Sequence, residues 1–279
     1  MLPKLEPALL TQAATFIATA STDDGGFHPP SIWEFFPDAV LFDGTWFALT
    51  RINLIQILAS VVLIVVFLIG TRRMRIVPGR FQSVVEMGLD FVRVNIAHDL
   101  LGRKDGDRFL PILTTFFFLI LFMNITGIIP FLNIAGTSVI AMPLLLAIVA
   151  YVMFIYAGFR EVGGATFFRN ALFPAGVPWY MYILLTPIEF INIFIVRPIS
   201  LALRLLLNMM VGHLLLVLCF AATHFFFFSM SGGFMAFGAL TLIGGFVMTI
   251  VEMAVAVLQA YVFTLLASVY IQQAAAKEH

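Results

Sequence analysis

The stretch Ile52-Asn-Leu-Ile-Gln-Ile-Leu-Ala-Ser-Val-Val-Leu-Ile-Val-Val-Phe-Leu-Ile-Gly-Thr71 contains no Lys, Arg, Asp, Glu or His, and Arg72 and Arg73 follow it at once. An apolar run of about 18 residues or more is long enough to cross a ~30 Å hydrocarbon layer as a helix. A longer charge-free stretch extends from Phe109 to Phe159, interrupted only by turn-forming residues around Asn133, Gly136, Thr137 and Ser138. It divides into two spans, about 109–131 and 139–159. A fourth apolar region covers about 179–222, and a fifth about 234–271. The pattern predicts an all-α polytopic membrane protein with five transmembrane helices, the last two forming a long, tilted C-terminal hairpin.

The composition agrees. The chain has 279 residues, of which 62% are apolar and only 11% charged, against about 45–50% and about 25% in soluble domains. Fifteen basic and fifteen acidic residues cancel. With no basic patch to hold phosphates, nucleic acid is excluded as a partner. The single cysteine, Cys219, allows neither an internal disulfide nor a cysteine-based metal site. No H-E-x-x-H, G-x-S-x-G or Walker loop is present, so neither a metal nor a cofactor is expected.

Basic residues orient the spans. Arg72, Arg73, Arg75, Arg80, Arg93, Arg103, Lys104 and Arg108 lie between spans one and two, and Arg160 and Arg169 between spans three and four. The loops near Asn133 and Phe227 have none, and the first 50 residues have only Lys4. The expected topology places the N-terminus outside and the C-terminus, with Lys277, in the cytoplasm. Residues 1–50 form an outer and interfacial segment, with Trp33, Phe35 and Phe36 suited to an aromatic belt, and 51–279 a single membrane domain. Leu9–Ala20 is apolar and ends in small residues, but Thr11, Gln12 and Thr15 dilute a signal-peptide reading. Phe81–Leu101 mixes apolar residues with Glu86, Asp90, Arg93 and Asp99 and reads as an amphipathic helix on the cytoplasmic surface.

Ionisable groups in hydrocarbon are costly and are functional candidates by default. Glu189, Arg197, Arg204 and Glu252 qualify, joined by Asn192, Ser200, Asn208, His213 and Gln259; all lie in regions four and five. At 100° per residue Arg197, Ser200, Arg204 and Asn208 share one stripe. His213, nine residues past Arg204, faces the opposite way. Glu252 and Gln259 share a stripe on the last helix, and Glu189 and Asn192 another. The 44 residues from Trp179 to Ala222 would make a helix of ~66 Å, too long to cross upright, so the region tilts, kinks at Pro187 or Pro198, or lies partly along the membrane. A steep tilt puts Arg204 near mid-membrane, Glu189 toward the cytoplasm and His213 toward the outside.

Arginine is not deprotonated in proteins. It cannot relay a proton, but it holds an approaching carboxylate in its charged form. An arginine between two water-filled dead ends therefore blocks direct leakage and discharges a carboxylate sliding past it. Each group also has a structural reading. Arg197 snorkels or caps, Arg204 pairs with Glu252, Glu189 complements a helix dipole, His213 packs, and Asn208 and Gln259 tie helices together.

The segment Arg197-Pro-Ile-Ser-Leu-Ala-Leu-Arg-Leu-Leu-Leu-Asn-Met-Met-Val-Gly-His213 resembles the signature of subunit a of F-type ATP synthases, matching at Pro198, Ser200, Leu201, Arg204, Leu205, Asn208, Met209 and Gly212. Leu258-Gln259-Ala260-Tyr261-Val262-Phe263 is similar to the family's last helix, and Met123-Asn124, Gly127 and Pro130 to its second span. The resemblance covers most of residues 30–275. It implies a non-catalytic, proton-conducting stator in the cell's inner (plasma) membrane, with the ATP chemistry on other subunits. Arg204 would face the carboxylates of a rotating ring of c subunits. His213, Glu252, Gln259 and Asn208 would line the outer half-channel, and Glu189, Asn192 and Ser200 the cytoplasmic one. His213 and Glu252 look exchanged relative to many relatives, and Gly127 replaces an acid found in some. A b-subunit stalk, the other synthase subunits and the lipid bilayer are the implied partners, and protons the cargo. The alternative is a secondary transporter holding an anionic substrate at a midplane arginine; the absence of an inverted repeat and the small number of helices weigh against it. A scaffold whose buried charges merely pair is the third reading.

Overall fold

The computed structural model describes residues 39–41, 49–72, 79–129, 135–172, 179–228 and 235–275. The aromatic belt around Trp33, Phe35 and Phe36, the proposed leader Leu9–Ala20, Asn133 and Lys277 lie outside them. Among the described residues five helices are long and apolar enough to cross a membrane, as the sequence predicts. Apart from a short antiparallel ribbon, β1 (Ala39–Leu41) with β2 (Leu49–Thr50), the described regular structure is helical.

The ribbon runs directly into α1 (Arg51–Arg72), whose first turn is capped by Thr50 Oγ1 accepting from the Asn53 amide at 3.4 Å. Only a narrow stripe of α1 is buried, Ile52, Ile55, Ala59, Leu63 and Gly70; its other sides present Ile, Leu and Val outward, as a helix wetted by lipid does. Gly70 permits close approach: a Cβ there would stand 3.1 Å from the Val85 side chain.

The amphipathic segment and the second span are two helices that meet at a kink, Gly102, as the sequence predicts. Helix α2 (Arg80–Val92) passes through a π-helical turn, Arg93–His98, into α3 (Asp99–Ile125). The one non-helical residue is Gly102, at φ 73°, a conformation glycine adopts without steric cost. The second span also ends earlier than the expected Phe131. After Ile125 the chain turns, with Thr126 Oγ1 donating to the Met123 carbonyl at 2.6 Å. Such side chains offer the backbone an alternative to the helix ladder.

Helix α4 (Ala141–Glu161) carries Pro143 in its first turn, where the missing N–H costs nothing. It stops before Gly163, at φ 88°, and α5 (Gly164–Leu172) follows. The fourth region begins with a 3₁₀ turn, Trp179–Met181, and continues as α6 (Tyr182–Ile191), a π-helical stretch Asn192–Val196, and α7 (Arg197–Phe228). It runs six residues past the expected Ala222. Pro187 lies inside α6, and Pro198 follows the first residue of α7; the wide turn before Pro198 is closed by the Arg197 amide on the Asn192 carbonyl. Helix α8 (Met235–Ala275) has 41 residues, or ~62 Å at 1.5 Å per residue. Both hairpin helices exceed the membrane's thickness.

Two packing units are distinguishable. In the larger, Leu113, Phe116 and Ile120 of α3, Ala150 and Phe154 of α4, Leu201 and Leu205 of α7 and Phe263 and Ile271 of α8 form one buried cluster. Phe116 meets Phe263 edge to face at 5.6 Å. The smaller unit contains Val217–Phe246. There Thr223 and Thr241 share a 2.9 Å hydroxyl bond, and Gly245 admits the Phe220 ring.

Candidate functional site

Helix α7 has two unlike sides. Leu201, Ala202, Leu205, Met209, His213 and Leu216 are buried. Leu203, Arg204, Leu207, Asn208, Val211 and Leu215 are exposed. Arg204 and His213 thus occupy opposite sides, as their nine-residue spacing requires. Arg204 forms no hydrogen bond or ion pair with any described residue. The scaffold reading, in which it pairs with Glu252, finds no such contact.

A groove of about 350 Å³ runs beside this exposed stripe, lined by Asn208, Gly212 and Leu215 of α7 and by Met248, Glu252 and Val255 of α8. Glu252 is only 5% exposed, and neither carboxylate oxygen has a hydrogen-bond partner among the described residues. The close packing that brings α8 here depends on Gly212, whose notional Cβ would lie 3.5 Å from Glu252 Oε1. Two turns further along α8, Gln259 is 4% exposed; its Oε1 accepts from Asn208 Nδ2 at 2.8 Å, and its own Nε2 has no partner. The structure therefore gathers Asn208, Glu252 and Gln259 along one seam, with His213, 5% exposed, on the inward side of α7 one residue from Gly212. A buried polar group without a partner costs free energy. Unsatisfied acceptors on a groove are what a water- or proton-carrying path requires.

The other candidates are less tightly gathered. Glu189, Asn192 and Ser200 are half-buried, and no hydrogen bond joins them to one another; the Ser200 hydroxyl donates to the Arg197 carbonyl at 3.0 Å. The π-helical stretch that begins at Asn192 separates Glu189 from Ser200, and such a turn takes an extra residue, so regular 100° arithmetic does not carry across it. Arg197 has aromatic neighbours on two other helices. Its guanidinium lies 5.2 Å from the Tyr270 ring centroid and 6.0 Å from that of Phe154, a cation–π arrangement tying α7 to α8 and α4. The sequence signal, an aromatic on each of two other helices, has no local spacing to betray it.

At the opposite end of α3 the polar groups are bonded inward. Fully buried Asn124 accepts from the Thr137 hydroxyl at 2.6 Å, Ser138 donates to the Ala135 carbonyl at 2.7 Å, and Gln56 donates to the Gly136 carbonyl at 2.7 Å. Gly127 is hemmed in: a Cβ would meet Ala135 Cβ and Met209 Cε at 3.0 Å each. In this chain there is no room there for an acid.

Comparison with known proteins gives one result throughout. A family profile described as "ATP synthase A chain" matches residues 53–272. A protein named ATP synthase subunit a from Rhodococcus erythropolis is 46% identical over 97% of this chain and 98% of its own length. One of the same name from a Nocardioides species is 36% identical over 97% of this chain and 100% of its own. Another, from Pseudarthrobacter chlorophenolicus, is 34% identical over 92% and 97%.

Proposed function

The chain belongs to the ATP synthase A chain family, a multi-pass membrane component of a complex with other ATP synthase subunits, and from that premise we propose that it is the proton-conducting stator of the rotary motor. Its partners in this reading are a ring of c subunits, set against the exposed stripe of α7, and a b-subunit stalk. The N-terminus lies outside and the C-terminus in the cytoplasm, residues 1–50 form the outer segment and 51–279 the membrane domain. The chain itself is non-catalytic.

Protons enter from outside past His213 and Glu252, with Gln259 and Asn208 on the same path, and load a ring carboxylate. After nearly a full turn that carboxylate comes up to Arg204. The fixed positive charge favours its ionised form, so the proton leaves toward Glu189, Asn192 and Ser200. Because arginine holds its own protons, the two arms stay insulated from each other. One charge moved through 100 mV releases ~2.3 kcal/mol, so several must pass for each ATP.

The observation that supports this reading is a single one: a guanidinium on the exposed side of a membrane helix, with no partner among the described residues. In hydrocarbon such a group needs a counter-charge, and a neighbouring subunit must bring it. The test is Arg204→Ala in inverted membrane vesicles. ATP-driven proton pumping should be abolished while passive proton conductance through the membrane sector persists or rises. Normal coupled pumping by the variant would overturn the reading.

A further inference from the structure

Where α3 and α4 meet on the side of the basic loops, two guanidinium groups converge on one atom. Arg108 Nη2 donates to the Tyr156 hydroxyl oxygen at 3.2 Å, and Arg160 Nη1 donates to the same oxygen at 2.7 Å. Both also lie over the Tyr156 ring, 5.6 and 6.0 Å from its centroid. One carboxylate is at hand: Glu161 accepts from Arg108 Nη1 at 3.1 Å. Arg160 has no acidic partner among the described residues. The cluster therefore holds two positive charges against one negative, held in place by a shared phenol and open to the outside: Arg160 and Tyr156 are exposed.

Below this cluster, toward the middle of the span, α4 presents an apolar stripe. Leu145, Ile148, Val152, Tyr156 and Phe159 recur at helical spacing and are 44–55% exposed. An excess of guanidinium charge at the end of a span, continuous with a bare hydrocarbon-facing strip, has a matching ligand. The geometry points to a bound anionic glycerophospholipid, its phosphate on Arg108 and Arg160 and an acyl chain along Val152 and Phe159. Guanidinium forks recognise phosphate oxygens by paired hydrogen bonds, and basic sites between membrane helices take lipid head groups in this way. A free phosphate would use the arginines alone and leave the strip unused. This inference does not depend on the role assigned to Arg204.

The test uses the full chain in its native assembly, reconstituted in phosphatidylcholine nanodiscs containing a trace of photoreactive phosphatidylglycerol or photoreactive phosphatidylcholine, each with the reactive group on the acyl chain. Labelled peptides are mapped after irradiation. The phosphatidylglycerol probe should label residues 145–159 several-fold more than the phosphatidylcholine probe. Arg160→Gln should cut the phosphatidylglycerol labelling about five-fold, the equivalent of about 1 kcal/mol per basic group at an anionic surface. Arg160→Lys should retain most of it, and phosphatidylcholine labelling in both should match the parent, which also reports that the helices are intact. Equal labelling by the two probes, or a preference untouched by Arg160→Gln, overturns the proposal. So does its abolition by millimolar inorganic phosphate, which would mark a free-anion site, or the absence of any labelling, which would mean that another subunit covers the strip.

Discussion

Two regions bury polar side chains among apolar helices and treat them differently. Around the turn between α3 and α4, Asn124, Thr126, Thr137 and Ser138 are buried, and each makes a bond within the turn or its flanking helix; one amide nitrogen, that of Asn124, is left over. Along the seam of α7 and α8, both Glu252 oxygens and the Gln259 amide nitrogen are unsatisfied, and Arg204, one turn before Asn208 on α7, is exposed and has no partner among the described residues. Hydrocarbon offers no water to make up the difference. The first region closes all but one of its polar atoms within the chain, as groups that serve the fold do. The second leaves three open, which fits the proposed path for protons beside another subunit. The distinction separates stitching from function more sharply than burial does, since Asn124 is more deeply buried than Glu252.

Glu252→Gln should strike function hardest. The amide keeps the shape but cannot carry a proton, and losing a positioned acid–base group costs roughly a hundredfold in transfer rate. ATP-driven acidification of inverted vesicles should fall accordingly, while the amount of assembled complex stays unchanged. A variant that pumped at the parental rate would reduce Glu252 to a packing residue and erase the contrast. Thr137→Val should do the reverse. It removes the 2.6 Å bond and strands Asn124 Oδ1, a loss of about 1–3 kcal/mol, visible as a lower Tm in detergent with pumping per assembled complex intact. Should Thr137→Val leave stability untouched and slow pumping instead, the turn would belong to the path.

Gly212 lies on the border of these two behaviours. Its notional Cβ is in ordinary contact with Glu252 at 3.5–3.7 Å. Gly212→Ala should therefore be tolerated, with pumping within about twofold of the parent, whereas Gly212→Leu should fill the groove and slow pumping without loss of the complex. Equal rates for Ala and Leu would mean that the groove carries nothing.

The five spans and the stripe of Arg204 and Asn208 were legible because each is a matter of local period. The opposed directions of Arg204 and His213 follow from nine residues of helix and nothing else. What was not legible depends on contacts between helices or on departures from the period. Arg197 reads as a boundary cation until Phe154 and Tyr270 arrive from elsewhere in the chain. The π turn at Asn192–Val196 leaves no simple mark in composition, yet it changes which side of the helix Glu189 shares. The division between the amphipathic segment and the second span was legible, since the charged residues near Gly102 do mark a helix end and the backbone breaks at that glycine; the π turn at Arg93–His98 was not.

The smallest effect lies outside both regions, ahead of the apolar run that begins at Phe109. Asp107 accepts from His98 Nε2 at 2.8 Å and from Arg93 at 3.3 Å. The hydrogen bond from His98, aided by the nearby Arg93 charge, holds its carboxyl below the usual aspartate range. A carboxyl whose value is lowered by folding stabilises the fold at pH above its unfolded value, near about 3.9. That contribution is lost as pH falls through the lower, folded value. The ties are solvent-exposed, with Asp107 52% exposed, so screening keeps them weak. Thermal unfolding of the detergent-solubilised chain from pH 6 downward should show Asp107→Asn slightly less stable than the parent at pH 6. The two curves should converge as pH falls through the lowered, folded value, where the parent carboxyl is protonated as well. A constant offset across that range would mean that the side chain acts through packing rather than through its charge.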